Sequence, residues 1–114
     1  MDIQGLVKEF ADCAEAMKSN RLDVPEANAY AERTCAAFDK LTAIGDEGRD
    51  ALASLFFDRR PTVRVSAAAF LLRYKHAEAT AVLKREAKGR GLVAFEAEQA
   101  LERWKDGTWE LDPG

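Results

Sequence analysis

The chain has 114 residues, of which 47% are hydrophobic and 32% are charged. This length suits one domain and excludes a large two-domain enzyme, while the hydrophobic content is enough for a packed core and excludes a disordered chain. The formal charge of −3 and the isoelectric point near 5.2 argue against a chain-wide affinity for nucleic acid or an anionic membrane.

The composition favours helices over strands. Alanine supplies 21 residues and leucine 11, whereas valine, isoleucine and threonine together supply 13. Cys13 and Cys35 have no CxxC spacing, so we expect no zinc and no cofactor. No basic segment followed by an apolar run opens the chain, and no apolar run is long enough to span a bilayer. We therefore expect an all-α, cytoplasmic protein with reduced, buried thiols.

Apolar residues recur at three- and four-residue steps in six segments, which predicts six helices. Their expected ranges are about 2–19, 25–44, 46–57, 61–74, 77–88 and 92–106, with a tail at 107–114. Local chemistry sets these boundaries. The expected N-caps are Asp2 and Asp46, the expected helix starts are Pro25 and Pro61, and the expected C-caps are Gly45 and Gly107.

An internal repeat links the later helices. A shift of 30 residues places Val63 over Val93, Ala67 over Ala97, Leu71 over Leu101 and Arg73 over Arg103. A period of this length indicates stacked supersecondary units, each a helical hairpin. The sequence therefore predicts one domain, 1–114, built of three units at about 2–44, 46–74 and 77–106.

A seven-residue run resembles the HEAT-repeat motif: DRRPTVR, residues 58–64, followed by Ala67, Ala68 and Leu71. In that family an aspartate precedes the second helix of the repeat and a Val-Arg pair lies five and six residues later. Asp58, Val63 and Arg64 keep those offsets. Residues 92–101 resemble the same helix in degraded form, and the short period is similar to that of the HEAT-like repeats of phycobilisome lyases. The resemblance covers about residues 46–104.

The resemblance implies a short right-handed α-α superhelix, a HEAT-like solenoid of about three antiparallel helix pairs. It also implies that Asp58 and Arg64 form bonds between neighbouring repeats near the turns. In such a stack the second helices of the pairs, here the second, fourth and sixth, line a concave face that binds partners. The candidate partner-binding residues on this face are Arg73, Arg103, Ser66, Ala69, Glu96 and Gln99.

The sequence offers no set of residues that dictates a reaction. His76, the single histidine, lies in a predicted turn with no carboxylate fixed beside it by spacing. We therefore expect no enzyme, no catalytic residues and no metal site. The expected function is a protein-interaction module, such as an adaptor or immunity-type protein, acting as a monomer or weak homodimer.

A different class of function remains open because charge is unevenly distributed. Residues 59–90 contain nine basic and two acidic residues, whereas residues 1–58 contain six basic and twelve acidic residues. This basic stripe could bind a polyanion or nucleic acid, although the acidic flanks would repel a phosphate backbone. Trp109, beyond the predicted last helix, is expected to fold back over the final unit.

Overall fold

The computed structural model describes residues 2–107, and within that range every regular element is helical. The elements are α1 (Ile3–Ser19), α2 (Val24–Ile44), α3 (Asp46–Ala53), α4 (Pro61–Phe70), α5 (His76–Ala87) and α6 (Leu92–Asp106). A 3₁₀ turn, Ser54–Phe57, follows α3. The all-α class is thus confirmed for the described residues.

The chain divides into two compact units, Met1–Leu55 and Phe56–Gly114, called unit 1 and unit 2 below. Each unit contributes three of the helices. The division falls inside the segment 46–74 that is predicted as the second repeat unit.

Unit 1 is built on the long helices α1 and α2, and α3 contacts both of them. Four side chains in its core are fully buried: Phe10, Phe38, Leu41 and Leu52. Gly48 of α3 is also buried, and a Cβ atom at this position would collide with the carbonyl group of Leu41 in α2. The absence of a side chain at position 48 therefore allows α3 to approach the backbone of α2.

Short polar residues fix the helix boundaries of unit 1. The carboxylate of Asp2 accepts a hydrogen bond from the Gly5 amide at 2.6 Å, which confirms Asp2 as the N-cap of α1. Asp23 caps α2 in the same way and is not predicted from the sequence. Gly45 ends α2 with φ of 104°, as expected, and also occupies the N-cap of α3. The assignment of Asp46 as that N-cap is therefore wrong, since Asp46 is already helical.

Unit 2 is a three-helix arrangement in which α4, α5 and α6 contact one another. Its fully buried side chains include Val63, Leu71, Leu72 and Leu83. Helix α6 has the predicted bounds, and Gly107 caps it in the left-handed conformation at φ of 77°.

Helix α4 ends four residues before the predicted Tyr74. Beyond Phe70 the chain turns, and the Lys75 amide donates to the carbonyl of Leu71 at 2.8 Å. Leu71 and Leu72 are both fully buried. The turn after α4 therefore still contributes two side chains to the core. None of the helices described is long and apolar enough to cross a membrane.

Candidate functional site

Two side-chain contacts define the helix directions in unit 2. Arg64, near the start of α4, forms an ion pair with Glu86, near the end of α5, at 3.0 Å. His76, the first residue of α5, lies against Trp104, near the end of α6, with ring centroids 5.4 Å apart. Helix α5 is therefore antiparallel to both α4 and α6. The N-termini of α4 and α6 and the C-terminus of α5 share one end of unit 2, which we call the basic end.

Arg64 and Asp58 belong to a hydrogen-bonded network at the basic end. Arg64 donates through Nε and Nη2 to the two carboxylate oxygens of Glu86, each at 3.0 Å, and through Nη1 to the backbone carbonyl of Asp58 at 2.8 Å. The Asp58 carboxylate accepts from the Arg60 amide at 2.9 Å and from Arg60 Nε at 3.1 Å. Arg64 joins α4, in the predicted unit 46–74, to α5, in the predicted unit 77–106, as the resemblance implies. The Asp58 carboxylate instead bonds Arg60 within its own loop, so its expected bond to a neighbouring repeat is not seen.

The network changes the acidity of its members. Hydrogen bonds from the side chain and backbone of Arg60 hold the pKa of Asp58 below its ordinary value. The hydrogen bond to Glu86 raises the pKa of Arg64. Asp58 is therefore ionised, and the carboxylates of Asp58 and Glu86 are both bonded to arginines of the same unit.

Large apolar side chains are exposed at the same end. Phe57, just before α4, is 86% exposed, whereas Leu92 and Phe95 in the first turn of α6 are 42% and 55% exposed. Leu92 and Phe95 are three residues apart on a helix and therefore occupy one face. Single exposed apolar residues are common, but three at one end of a small unit are typical of a contact surface.

No motif in the sequence selects these three residues as a surface. A signal exists for Phe95, because it falls outside the apolar period of the sixth helix, which includes the buried Ala97 and Ala100. A signal exists for Phe57 as well, because the helical period of the third segment selects Leu52, Leu55 and Phe56, which are buried, and leaves Phe57 outside.

Cations surround the apolar side chains. Arg59, Lys88 and Arg90 are exposed and form no ion pair with any residue that the structure describes. Helices α4 and α6 both begin at this end without a side-chain hydrogen bond at the N-cap. Their free amides and the helix dipoles add to the positive potential.

The predicted partner-binding residues occupy different environments. Arg73 lies in the turn after α4 and Arg103 in the last turn of α6, so the two are at the end of unit 2 opposite the basic end. Both are exposed, as is Glu96. Ser66 and Gln99 are half-buried and Ala69 is buried, so these three offer little contact area.

His76 and the tryptophans are placed as follows. His76 is exposed and half-buried Trp104 lies beside it. Trp109 and the rest of the tail lie outside the described residues, so the prediction that Trp109 folds back stays a prediction. Among residues 2–107, no group of three or more histidine, cysteine or acidic side chains could hold a metal ion.

The cysteines of unit 1 are both free and differ in burial. Cys13 is buried and its Sγ donates to Glu9 Oε1 at 3.1 Å, while Arg33 Nε donates to the same oxygen at 3.0 Å. Burial, followed by the bond to Glu9, raises the pKa of the Cys13 thiol to about 11. Cys35 is exposed, so the expectation that both thiols are buried is wrong for this residue.

The fold and the surfaces together define a small all-helical protein with an apolar and cationic surface at one end of unit 2. The crystal structure of the protein RPA1889 from Rhodopseudomonas palustris CGA009 is similar, with a TM-score of 0.87 and 26% sequence identity over 96% of this chain and 93% of that chain. No protein-family model and no curated protein matches the sequence. The structural likeness supports the fold.

Proposed function

We propose that this chain is a non-enzymatic protein-interaction module built from HEAT-like helical repeats. The observation that carries this proposal is the exposure of Phe57, Leu92 and Phe95 at one end of unit 2. Aromatic side chains contribute a large share of the energy of protein interfaces and are costly to leave in water. A partner that covers them is the simplest physical reason for their position.

The helix directions support the HEAT-like part of the proposal. Helices α4 and α6 run parallel and touch, as the second helices of neighbouring HEAT-like repeats would do. Ala67 and Ala97, which are 30 residues apart, are both fully buried. In this proposal the chain is a short right-handed superhelix of about three helix pairs, acting in the cytoplasm as an adaptor or immunity-type protein.

The concave face of the second, fourth and sixth helices is the second candidate surface for the partner. Arg73, Arg103 and Glu96 are its exposed members in unit 2. Arginine suits such a surface because its guanidinium group binds carboxylates in a bidentate manner.

A quantitative affinity purification from cells that make the protein tests the function. The wild type is compared with Phe57→Ala/Phe95→Ala, with Arg73→Glu/Arg103→Glu, and with the control Leu22→Ala/Val24→Ala, whose side chains are also exposed but belong to unit 1. We expect a stoichiometric protein that the control retains and the first variant loses, with melting temperatures matched throughout.

The comparison identifies the face as well as the function. If only the Arg73→Glu/Arg103→Glu variant loses the protein, the partner binds near those arginines instead. If the wild type captures no protein above an untagged background, the module proposal is refuted.

A polyanion-binding function is the alternative, favoured by the exposure of Arg59, Lys84, Lys88 and Arg90 within the basic stripe. Arg60 and Arg64 contribute less to it, because Asp58 and Glu86 are bonded to them. Binding to duplex DNA or single-stranded RNA at 50 mM salt that weakens steeply with added salt would support this function. No binding at that low salt would remove it.

A further inference from the structure

We infer that the basic end of unit 2 binds an acidic segment of a partner protein, one in which carboxylates flank bulky apolar side chains. This inference rests on the proposed function and specifies the chemistry of the partner. It follows from three features that coincide at the basic end: exposed apolar side chains, exposed cations without partners, and helix N-termini.

The apolar part of the surface requires apolar groups on the partner. Phe57, Leu92 and Phe95 together expose a hydrophobic area that only other apolar groups can remove from water. A purely acidic chain would leave this area exposed. The partner segment must therefore carry aromatic or branched aliphatic side chains.

The charge at the basic end requires carboxylates next to those apolar groups. Residues 57–64 and 85–96, which include the three apolar side chains, contain six basic and three acidic residues. Asp58 is bonded to Arg60 and Glu86 to Arg64, and Glu96 also has an interaction partner. Arg59, Lys88 and Arg90 form no ion pair with a described residue, and a carboxylate-rich segment would pair with them.

The helix termini act in the same direction. Helix α6 begins at Leu92 without a side-chain cap at Gly91, so its first amides are free. Helix α4 offers only the Thr62 amide, because Pro61 has no amide proton and the Val63 amide donates to the carbonyl of Arg60. A carboxylate placed there accepts hydrogen bonds from the backbone and interacts favourably with the helix dipole.

A peptide fits these features better than a membrane or a nucleic acid. Three apolar side chains and three cations are few for a stable anchor on an anionic bilayer, which requires a larger apolar face or a polybasic cluster. A nucleic acid would use the cations but leave Phe57 and Leu92 in water unless its bases were unpaired. An acidic, apolar peptide uses all the features at once.

Site-specific photocrosslinking in cells that make the protein tests the inference on the full chain. A benzoylphenylalanine residue replaces Phe57 or Phe95, and Val24, exposed in unit 1, is the control position. Crosslinked peptides are then sequenced by mass spectrometry. We expect adducts from positions 57 and 95, but not from 24, in one protein segment with an excess of Asp and Glu beside apolar residues.

Charge reversal provides the matched comparison. Arg59→Glu/Lys88→Glu/Arg90→Glu should lower the crosslinking yield at least ~10-fold, since it replaces three attractive charge contacts with repulsive ones. Arg21→Glu/Lys40→Glu/Lys105→Glu changes three exposed cations elsewhere and should leave the yield within about twofold.

Several results would overturn the inference. Adducts in neutral or basic segments, on lipid, on nucleic acid or on a second copy of this chain would identify another occupant. An unchanged yield after reversal of Arg59, Lys88 and Arg90 would show that charge does not select the partner. No adduct from position 57 or 95, while the wild type still captures a stoichiometric protein, would refute the inference and leave the proposed function standing.

Discussion

At the scale of single residues, the most consequential contact is the bidentate ion pair between Arg64 and Glu86. Both side chains are largely out of water, with 21% and 12% of their surfaces exposed. Removing either partner leaves the other charge poorly solvated, which costs more than the pair itself contributes. The pair fixes the ends of α4 and α5 relative to each other.

A double-mutant cycle measures this contribution. Arg64→Ala should lower the free energy of unfolding by about 2 kcal/mol because it strands the Glu86 carboxylate. Arg64→Ala/Glu86→Ala should cost less than the sum of the single variants, with a coupling of about 1–2 kcal/mol. Urea denaturation gives these values, and Arg59→Ala, an exposed neighbour, should change stability by less than about 0.5 kcal/mol. Additive single effects would contradict the assignment.

The two thiols should differ in reactivity. Cys13 is buried and its pKa is raised to about 11, so little thiolate is present near neutral pH. Partial desolvation also raises the pKa of Cys35, but its thiol is exposed. Because a reagent can reach it, Cys35 should react with a disulfide reagent at pH 8 at least ~10-fold faster. The Cys35→Ser variant should keep only the slow thiol, which becomes fast in urea. Two equally fast thiols in the native wild type would show that Cys13 is accessible.

At the scale of elements, the packing of α3 on α2 depends on Gly48. A Cβ atom there would meet the backbone carbonyl of Leu41, which cannot move aside as a flexible side chain could. Alanine favours helix over glycine by about 1 kcal/mol, so the steric effect and the intrinsic propensity act in opposite directions. Backbone overlap at a packed interface is the larger effect.

Gly48→Ala should therefore destabilise the protein by about 1–3 kcal/mol, although it improves helix propensity. Thermal denaturation followed by circular dichroism measures the change. Gly89→Ala provides a milder comparison, because the nearest atom to its new Cβ, the Glu86 carbonyl oxygen, is 3.3 Å away, which is a tight contact but not a collision. It should lower the melting temperature less than Gly48→Ala does. An unchanged or raised melting temperature for Gly48→Ala would mean that α3 does not approach α2 this closely.

At the scale of the whole molecule, stability should be greatest between mildly acidic and mildly alkaline pH. The pKa values of Glu9 and Asp58 are lowered in the folded protein, Glu9 by bonds from Cys13 and Arg33, and Asp58 by bonds from Arg60. Their contributions are complete at pH values well above the ordinary pKa values of 4.5 for Glu9 and 3.8 for Asp58, and are lost as the pH falls through the lowered values. The raised pKa of the Cys13 thiol has the opposite effect on stability. Its contribution to the free energy of unfolding is lost as the pH rises from about 9 toward about 11.

Urea midpoints measured from pH 2 to 11 test this profile. Asp58→Asn should show a smaller acid-side loss than the wild type, and Cys13→Ala a smaller alkaline loss. Parallel profiles for the wild type and both variants would contradict these assignments.

Local chemistry predicts much of the fold, and contacts distant in sequence account for the rest. The bounds of α6 follow from its apolar period and from Gly107, and Asp2 and Gly45 act on amides within a few residues. The partners of Arg33 and Arg64, by contrast, lie 24 and 22 residues away, at Glu9 and Glu86. No spacing rule selects these acids, because packing between helices brings them together. The surface formed by Phe57, Leu92 and Phe95 is not predictable from spacing either, because packing between helices brings residues distant in sequence to the same end of unit 2.

The odd number of helices in unit 2 gives it a mechanical property. The described part of unit 2 has Phe57 at the basic end and Gly107 at the opposite end, separated by about the 22 Å length of α6. Tension applied at Phe57 and Gly107 would therefore shear all helix faces at once along their axes. Tension applied at Phe57 and Leu92, both at the basic end, would instead peel the helices apart one turn at a time. Unit 2 should therefore unfold at a higher force in an optical trap when it is pulled at Phe57 and Gly107 than when it is pulled at Phe57 and Leu92.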